Sequence, residues 1–468
     1  VWAGERRSDL REFFTFAAAI IQAGVVLSMV PLLLNGAIIE FQIWQIFTHV
    51  PMLLRVDGPG LLFACVASIL WIVTTLYSVG YMRGLHEHAQ TRFYSFFALS
   101  LSATMGVAFS SNVLTIYFFY EMLSVSTFPL VTHMQDKEAR TGGRTYLGYL
   151  LFTSLCLLLP ALSLCYVWLD DGQAAMDFLT DTGKIGEFSQ SVQIFLLLLF
   201  TFGFAIAGLM PFHSWLRGAM VAPTPVSALL HAVAVVKVGV FCVYRIYSDI
   251  FGTEVLQRMD GEDWLIGIAC ATILISSFIA LSQDNLKRRL AFSTIGQLGY
   301  VVLGATLATE RGMGGSVLHI AMHACGKITL FFCAGAIFVA SGKKYVSQLR
   351  GLGRKMPITM GAFMIGSLSV IGLPPLGGFV SKWYLALGAL DRDAMWVVVV
   401  LLISSLLNVF YLLPVAVTAF FQTEENEENS GLKEAPMACV VPLAFTAIGC
   451  FALFFFSGPL LLLAGISQ

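Results

Sequence analysis

Gly372-Leu-Pro-Pro-Leu-Gly-Gly378 interrupts an apolar run that extends from residue 356 to residue 390. Pro374 and Pro375 lack the amide hydrogen that a helix needs, and each ring clashes with the preceding turn, so a broken helix is predicted. A second apolar run, residues 192–216, is interrupted in the same way by Gly208-Leu-Met-Pro211. Matched breaks predict an internal repeat in which freed backbone lines a polar path, whereas one proline kink alone is also compatible with simple packing.

The composition places these two broken helices in a membrane. Of 468 residues, 57% are hydrophobic and only 12% are charged, whereas about 25% are charged in a soluble domain. A membrane helix requires roughly 20 mostly apolar residues. Such runs predict thirteen helices, at residues 13–34, 60–82, 94–111, 113–132, 145–169, 192–216, 225–247, 264–282, 289–309, 314–340, 356–390, 395–421 and 437–464. The predicted class is therefore an all-α, multi-pass protein of the cell (inner) membrane.

Basic residues are distributed unevenly across the predicted loops. Of the 27 Lys and Arg residues, only five lie in loops on one side of the membrane: Arg55, Lys184, Arg258, Arg311 and Arg392. Eighteen lie on the other side, which is therefore predicted to be cytoplasmic. The remaining four lie within helices: Lys237, Arg245, Lys327 and Lys382. Arg245 is close enough to a helix end that we expect it to snorkel to the surface.

Titratable residues inside the helices point to proton transfer. A charge near the centre of a bilayer costs about 2.5–3.5 kcal/mol, so such residues usually mark ion paths or proton relays. Glu121 is the one acidic residue predicted to lie inside a helix, and it shares a helix face with Tyr117 and Ser124. Ser293, Gln297 and Tyr300 form a polar stripe on another helix. The candidate relay residues are Glu121, His231, Lys237, His319, His323, Lys327 and Lys382. A static salt bridge explains any one of them equally well, but explains the whole set less well.

Other classes of site lack support in the sequence. The nine cysteines lie in apolar stretches without a Cys-x-x-Cys pair, which argues against disulfides, zinc and iron–sulfur clusters. The histidines lack the helix-pair spacing of a haem site, and no phosphate loop, nucleophile elbow or His-Glu-x-x-His motif is present. The net charge of −1 gives no reason to expect nucleic acid. The acidic run at residues 423–430 is best explained as a solvated loop.

Five longer motifs stand out within the predicted helices. They are Met210-Pro-Phe-His-Ser-Trp215, Val221-Ala-Pro-Thr-Pro-Val-Ser-Ala-Leu-Leu-His231, Lys287-Arg-Arg-Leu-Ala-Phe-Ser-Thr-Ile-Gly-Gln-Leu-Gly-Tyr300, His323-Ala-Cys-Gly-Lys327 and Gly372-Leu-Pro-Pro-Leu-Gly-Gly-Phe-Val-Ser-Lys382. Together they resemble the antiporter-like subunits of respiratory complex I, and above all the D-type subunits of the Mrp cation/proton antiporters. The resemblance runs from about residue 10 to residue 464.

The resemblance implies an architecture for the whole chain. It implies fourteen helices with inverted five-helix repeats, and because the chain starts at Val1 rather than Met, we expect the fourteenth helix to precede it. The implied division is N-terminal helices at 1–93, a first antiporter-like repeat at 94–247, a second at 264–421, and the acidic loop with the C-terminal helix at 422–468.

The resemblance also implies roles and partners. Glu121 would pair with a lysine, Lys237 and Lys327 would be central relay lysines, and Lys382 would be the outlet of the second broken helix. No cofactor is expected in this chain. The implied partners are other membrane subunits of a multisubunit complex, the lipid bilayer, and protons, with Na⁺ as a further candidate cation. No covalent chemistry is expected in the chain itself, although the parent complex could be a proton-translocating oxidoreductase.

One position departs from the family pattern. The family usually has a lysine five residues before the proline of the first broken helix, where this chain has Ile206. Isoleucine cannot carry a proton, so either Lys237 replaces the missing lysine or the first half-channel is impaired. Three functions therefore stay open: an ion-translocating component of an antiporter or redox-driven pump, an energy-coupling partner of a peripheral protein such as that of an inorganic-carbon uptake system, and a non-conducting scaffold.

Overall fold

Helices dominate the part of the chain that the structure describes. The computed structural model describes residues 7–47, 50–168, 177–178, 182–259, 263–422 and 432–466. Helical structure is present at each of the thirteen predicted positions, which confirms the predicted class. Eight of the described helices are long and apolar enough to cross a membrane. The acidic run at residues 423–430 lies outside the described residues.

The N-terminal half contains the following elements, in chain order: α1 (Ser8–Leu34), β1 (Glu40–Phe47), β2 (Val50–Arg55), α2 (Gly58–Gly84), α3 (Gln90–Ala108), α4 (Val113–Val131), α5 (Lys137–Thr153), α6 (Leu159–Trp168), α7 (Gln190–Gly203), α8 (Trp215–Gly218), α9 (Thr224–Ala228), α10 (Val235–Arg245) and α11 (Thr253–Arg258). Wider π-helical turns join or extend several of these helices, at Ser154–Leu158, Leu229–Val233 and Ile246–Phe251. One long helix therefore runs from α5 through α6.

The C-terminal half contains α12 (Asp263–Ser282), α13 (Leu286–Thr306), α14 (Glu310–Ser341), α15 (Leu352–Lys355), α16 (Pro357–Ile371), α17 (Gly377–Asp391), α18 (Met395–Phe421), α19 (Met437–Phe455) and α20 (Gly458–Leu463). The centre of the bundle is formed by α2 and α14, whose most apolar 18-residue windows are 78% and 72% buried. The corresponding window of α1 is only 17% buried, which places α1 at the periphery.

Side-chain caps set the beginnings of several helices. Asp57 accepts a hydrogen bond from the amide of Gly60 at 2.8 Å, and Asn112 accepts one from Thr115 at 2.8 Å. Each cap satisfies an amide that the first turn leaves unbonded and contributes about 1 kcal/mol. The helix starts therefore follow from residue types that favour helix N-termini.

A β-hairpin lies between α1 and α2, where the sequence interpretation contained only a loop. Strands β1 and β2 pair antiparallel, with Glu40 opposite Arg55 and Phe41 opposite Leu54. Strand β1 is rich in β-branched and aromatic residues, which suit a pleated surface, but the segment is too short for a membrane helix. The amide of Arg55 also donates to the carbonyl of Phe109 at 2.7 Å, so the hairpin is tied to the end of α3.

Both predicted helix breaks are present. The first separates α7 from α8 and contains one short turn, Ala205–Ala207, before Pro211; the second separates α16 from α17 and contains Pro374 and Pro375. In each break one glycine adopts a left-handed backbone conformation, with φ of +69° at Gly208 and +92° at Gly372. Non-glycine residues rarely adopt this conformation, which explains the glycine that opens each Gly-Leu-x-Pro pattern.

A second glycine lets the first break pack against α10. A Cβ atom placed on Gly239 would lie 2.2 Å from the amide nitrogen of Ala207 and 2.4 Å from the carbonyl carbon of Ile206. Any larger residue would therefore push the broken segment away from α10. Because Gly239 lies two residues after Lys237, this contact places the first break beside the helix that carries one of the candidate lysines.

Opposite ends of the bundle carry different ion pairs. On the predicted cytoplasmic side, Arg83 pairs with Asp9 and, at 2.6 Å, with Glu12. On the other side, Arg245 pairs with Asp57 and, at 2.6 Å, with Asp249. The expectation that Arg245 snorkels to the surface is wrong: its side chain is 4% exposed, because these two carboxylates neutralise it inside the protein. Burial raises the pKa of Asp249 to about 6, although the neighbouring Arg245 opposes this effect.

Candidate functional site

Helix α14 carries three titratable side chains into the core. His319, His323 and Lys327 repeat at four-residue intervals, so they lie along one face of the helix. All three are buried, with exposures of 1%, 2% and 0%. The predicted titratable stripe is therefore inside the protein rather than against lipid.

Lys237 joins this stripe from α10. Its Nζ is hydrogen-bonded to Nδ1 of His323, and Lys237 is itself fully buried. Two positive charges at this separation in a low-dielectric interior repel strongly, so the contact favours a state in which one of the two groups is neutral. The pair is therefore suited to share and exchange a single proton.

The next contact leads along α14 from His323 to His319. The two rings are stacked, with centroids 5.7 Å apart and planes at 4°. Nδ1 of His319 is hydrogen-bonded to the hydroxyl of Ser381 at 2.9 Å, and its Nε2 to the side-chain oxygen of Gln297 at 3.1 Å. These two bonds orient the ring and link α14 to α13 and α17.

Lys382 on α17 lies beyond His319. Its Nζ donates to the carbonyl of Ile371 at 2.8 Å and to the hydroxyl of Ser405 at 3.1 Å. Ile371 is the last residue of α16, and carbonyls at a helix C-terminus carry partial negative charge that stabilises a cation. The second break therefore creates the acceptor that holds Lys382. The ring of Tyr300 lies 4.8 Å from Lys382 Nζ and 5.3 Å from the ring of His319, so it connects the two.

Lys327 has a separate group of partners on α13 and α18. Its Nζ donates to the hydroxyl of Ser293 at 2.7 Å, and the hydroxyl of Tyr411 donates to the same oxygen at 3.0 Å. Tyr411 is in turn hydrogen-bonded to Asn408. The predicted stripe of Ser293, Gln297 and Tyr300 thus contacts three of the four candidate groups of α14 and α17, namely Lys327, His319 and Lys382. Asn408 and Tyr411 were not predicted, although Ser404, Asn408 and Tyr411 repeat at i, i+4 and i+7 in α18 and therefore share one helix face, a polar pattern that could have indicated them.

Glu121 lies apart from the central lysines. It is half-buried on α4, and its Oε1 atom has no hydrogen-bond partner. Among the described residues, no ion pair involves Glu121. The neighbouring Tyr120 contacts the first break, since its hydroxyl accepts a hydrogen bond from the amide of Ile206 at 3.4 Å. Ile206 is fully buried at this contact. The role expected for Glu121, pairing with a lysine, stays a prediction.

Two further histidines are His231, a candidate relay residue, and His213, which was not predicted to belong to the relay. The backbone of His231 belongs to the π-helical turn before α10, but its side chain lies outside the described residues. His213 lies in the first break, where one of its ring nitrogens, Nδ1, is buried without a hydrogen-bond partner.

A cavity of about 770 Å³ opens at the predicted cytoplasmic end. Its lining combines acidic side chains of the α5 region, including Asp136 and Glu138, with basic side chains that include Arg217 and Lys287. Lys287 Nζ donates to the carbonyl of Ala222 at 2.7 Å, so this lysine holds the irregular segment before α9. Acidic and basic side chains therefore both line this cavity, which lies beside the first break.

The sequence and the fold both match known membrane proteins. Over 414 residues the chain is 32% identical to the N subunit of NADH-quinone oxidoreductase from Desulforudis audaxviator, covering 82% of this chain and 78% of that protein. Over 379 residues it is 30% identical to the A/B component of a probable K⁺/H⁺ antiporter from Rhizobium meliloti, covering 79% of this chain but only 36% of that protein.

A solved structure shows the same fold. A chain in the structure of the Mrp complex from Dietzia sp. matches with a TM-score of 0.86 over 99% of this chain and 92% of that chain, at 22% identity. In sequence, residues 110–408 match the family described as NADH:quinone oxidoreductase/Mrp antiporter, transmembrane. This region contains both helix breaks and all the candidate relay residues. The chain belongs to the transmembrane family of the NADH:quinone oxidoreductases and Mrp antiporters.

Proposed function

We propose that this chain is a proton-translocating membrane subunit of a multisubunit antiporter or redox-driven ion pump. One observation carries the proposal: titratable side chains, all buried except the half-buried Lys382, form a connected series from Lys237 through His323 and His319 to Lys382. Buried ionisable groups are costly in a membrane protein and are usually retained for function. A series that crosses several helices is better explained by proton transfer than by separate structural contacts.

In this series each titratable group gains a proton from one neighbour and passes it to the next, so its charge alternates between two states. A proton that arrives at Lys237 can pass to His323 along their hydrogen bond, and the repulsion between neighbouring positive charges drives it onward. The step from His323 to His319 is longer than a hydrogen bond and requires a bridging water or a ring rotation. Lys382, held by the carbonyl at the second break, is the last group of the series.

The names of two relatives also support a role in ion translocation. One is named as part of an NADH-quinone oxidoreductase and the other as part of a probable K⁺/H⁺ antiporter. The chain spans only about a third of that antiporter protein, so the transported cation and the parent complex belong to the proposal. Other proteins of the complex would supply the redox reaction or the second ion movement that drives the protons.

Transport by the reconstituted complex tests the proposal. We expect Lys382→Ala and Lys327→Ala to lower proton uptake at least tenfold in proteoliposomes, measured with a pH-sensitive dye after an ion gradient or an electron donor is supplied. Lys433→Ala, which changes an exposed lysine, should transport as the wild type does. Full transport by both core variants would reject the proton relay and favour a scaffold or an energy-coupling role.

The first half of the chain differs from the second in a testable way. The described contacts link Lys237 to His323 but place no charged group at Ile206, so we propose that Lys237 receives protons without a lysine in the first break. Introducing that lysine by Ile206→Lys should change the number of protons moved per driving reaction, because a new charge would lie beside Tyr120 in the first break. Ile206→Met, which is similar in length but uncharged, is the matched control. An unchanged stoichiometry in Ile206→Lys, with normal assembly, would contradict this proposal.

A further inference from the structure

Glu87, His88 and His133 form a cluster outside the relay series, at the predicted cytoplasmic end of the bundle. Glu87 and His88 lie in the loop between α2 and α3, and His133 follows the end of α4. One potential metal ligand atom on each of these three side chains lies within 4.8 Å of the other two. Two imidazoles and one carboxylate are donor types that bind Zn²⁺ well.

His133 gives an independent reason to expect a ligand. The residue is fully buried, yet its ring makes no well-formed hydrogen bond; its one polar contact is with the backbone of His88, so at least one ring nitrogen is left unbonded. A buried polar group left unbonded costs about 1–3 kcal/mol, and such groups are rare in folded proteins. A metal ion bound to one of the two nitrogens would remove part of this cost, and the other two potential ligands lie close enough to share that ion.

The geometry requires only small side-chain movements. The ring of His88 is stacked on that of His133, with centroids 5.0 Å apart, and Oε2 of Glu87 lies 3.9 Å from Nδ1 of His88. Tetrahedral Zn²⁺ with bonds of about 2.0–2.2 Å brings its ligand atoms to roughly 3.3–3.6 Å from one another. His88, which is 53% exposed, and Glu87 can rotate to close this difference. His133 is held in place by its edge-on contact with the Phe93 ring.

The charges around the cluster and its access to water are also suitable for binding a cation. Arg92 places a positive charge nearby by donating to the backbone carbonyl of His133 at 3.0 Å, and the carboxylate of Glu87 offsets it. Glu87 also lines the 770 Å³ cytoplasmic cavity. A hydrated cation therefore reaches the cluster directly from the aqueous side.

We propose that Glu87, His88 and His133 bind one Zn²⁺ ion, with water in the fourth position, at the rim of the cytoplasmic cavity. Three protein ligands with an open position are typical of zinc sites that can also contact a further group. This site does not depend on proton translocation by the relay series, so each proposal can fail without the other.

Zinc binding by the purified complex tests this inference. Zn²⁺ would be titrated against a chromophoric chelator, and the metal that stays bound after desalting would be counted by elemental analysis. We expect one tight site in the wild type, and an increase of at least tenfold in the dissociation constant in His88→Ala, Glu87→Gln and His133→Gln. The control is His86→Asn, which changes an exposed histidine of the same loop to a residue that tolerates the left-handed backbone found there.

The outcomes are distinct. Tight binding that is lost in the ligand variants and kept in His86→Asn supports the site. Absence of tight binding in the wild type, or ligand variants that bind as the wild type does, overturns it. If His133→Gln fails to assemble because its position is buried, His88→Ala still decides the question, since that side chain is half-exposed.

Discussion

Lys237→Ala should reduce proton transport by the assembled complex by about 100-fold, the scale on which positioned proton-transfer groups usually contribute to a rate. The structure provides the reason. Lys237 is the only described group of α10 bonded to the titratable stripe of α14, so its loss removes the link at the start of the series. Alanine leaves His323 buried without this partner. The rate would be measured in proteoliposomes with a pH-sensitive dye.

A double substitution separates a shared proton link from two independent effects. His323→Ala should slow transport about as much as Lys237→Ala, and the double variant should be no slower than either single variant, because both changes break the same link. The control is Cys242→Ala, which changes a buried, uncharged residue of the same helix. Multiplicative losses in the double variant, or near-normal transport in either single variant, would contradict direct proton transfer between Lys237 and His323.

Arg245→Ala should destabilise the folded chain by about 3–5 kcal/mol, the usual cost of removing one partner from a buried ion pair. The guanidinium is 4% exposed and lies between Asp57 and Asp249. Alanine would leave two carboxylates facing each other without a counter-charge, and it would also remove the contact of the guanidinium with the ring of Phe178, 4.5 Å away. Thermal unfolding of the purified protein in detergent, followed by size-exclusion chromatography, measures the effect.

Arg258 supplies a matched comparison on the same side of the protein. It pairs with Glu254 at 3.4 Å, but both side chains are more than 80% exposed. Such a surface pair contributes between about 0 and 1 kcal/mol, so Arg258→Ala should leave the midpoint of unfolding almost unchanged. Equal midpoints for the two variants would show that the buried triad contributes no more than a surface pair.

Much of the fold could be predicted because bilayer physics leaves few choices. Runs of about 20 apolar residues must form helices there, and the Gly-Leu-x-Pro patterns at Gly208 and Gly372 indicated both breaks. The hairpin at Glu40–Arg55 was missed because its residues satisfy neither the length of a membrane helix nor a tight two-residue turn signal. The burial of Arg245 was missed because one partner, Asp57, is brought to it only by the tertiary packing, although Asp249, four residues further along the chain, is a local signal for the ion pair.

The relay residues were predictable as a set but not as a connected series. Spacing alone placed His319, His323 and Lys327 on one helix face, and the structure shows that face to be internal. Spacing could not reveal that Lys237 contacts His323 rather than Glu121, because Lys237 and His323 lie 86 positions apart on different helices. Likewise, nothing local joins His133 to His88, since their proximity depends on how α3 and α4 pack.

Asp57 caps α2 and also pairs with Arg245, and this double role bears on the order in which the chain is made. The two residues are separated by 188 positions, which a ribosome needs roughly 10 to 40 s to synthesise at about 5–20 residues per second. During that interval the carboxylate at the start of α2 has no cationic partner from α10. The first helices therefore enter the membrane as an unfinished unit, and the arrival of α10, about halfway through synthesis, completes this ion pair at the end of the bundle that is predicted to lie outside the cytoplasm.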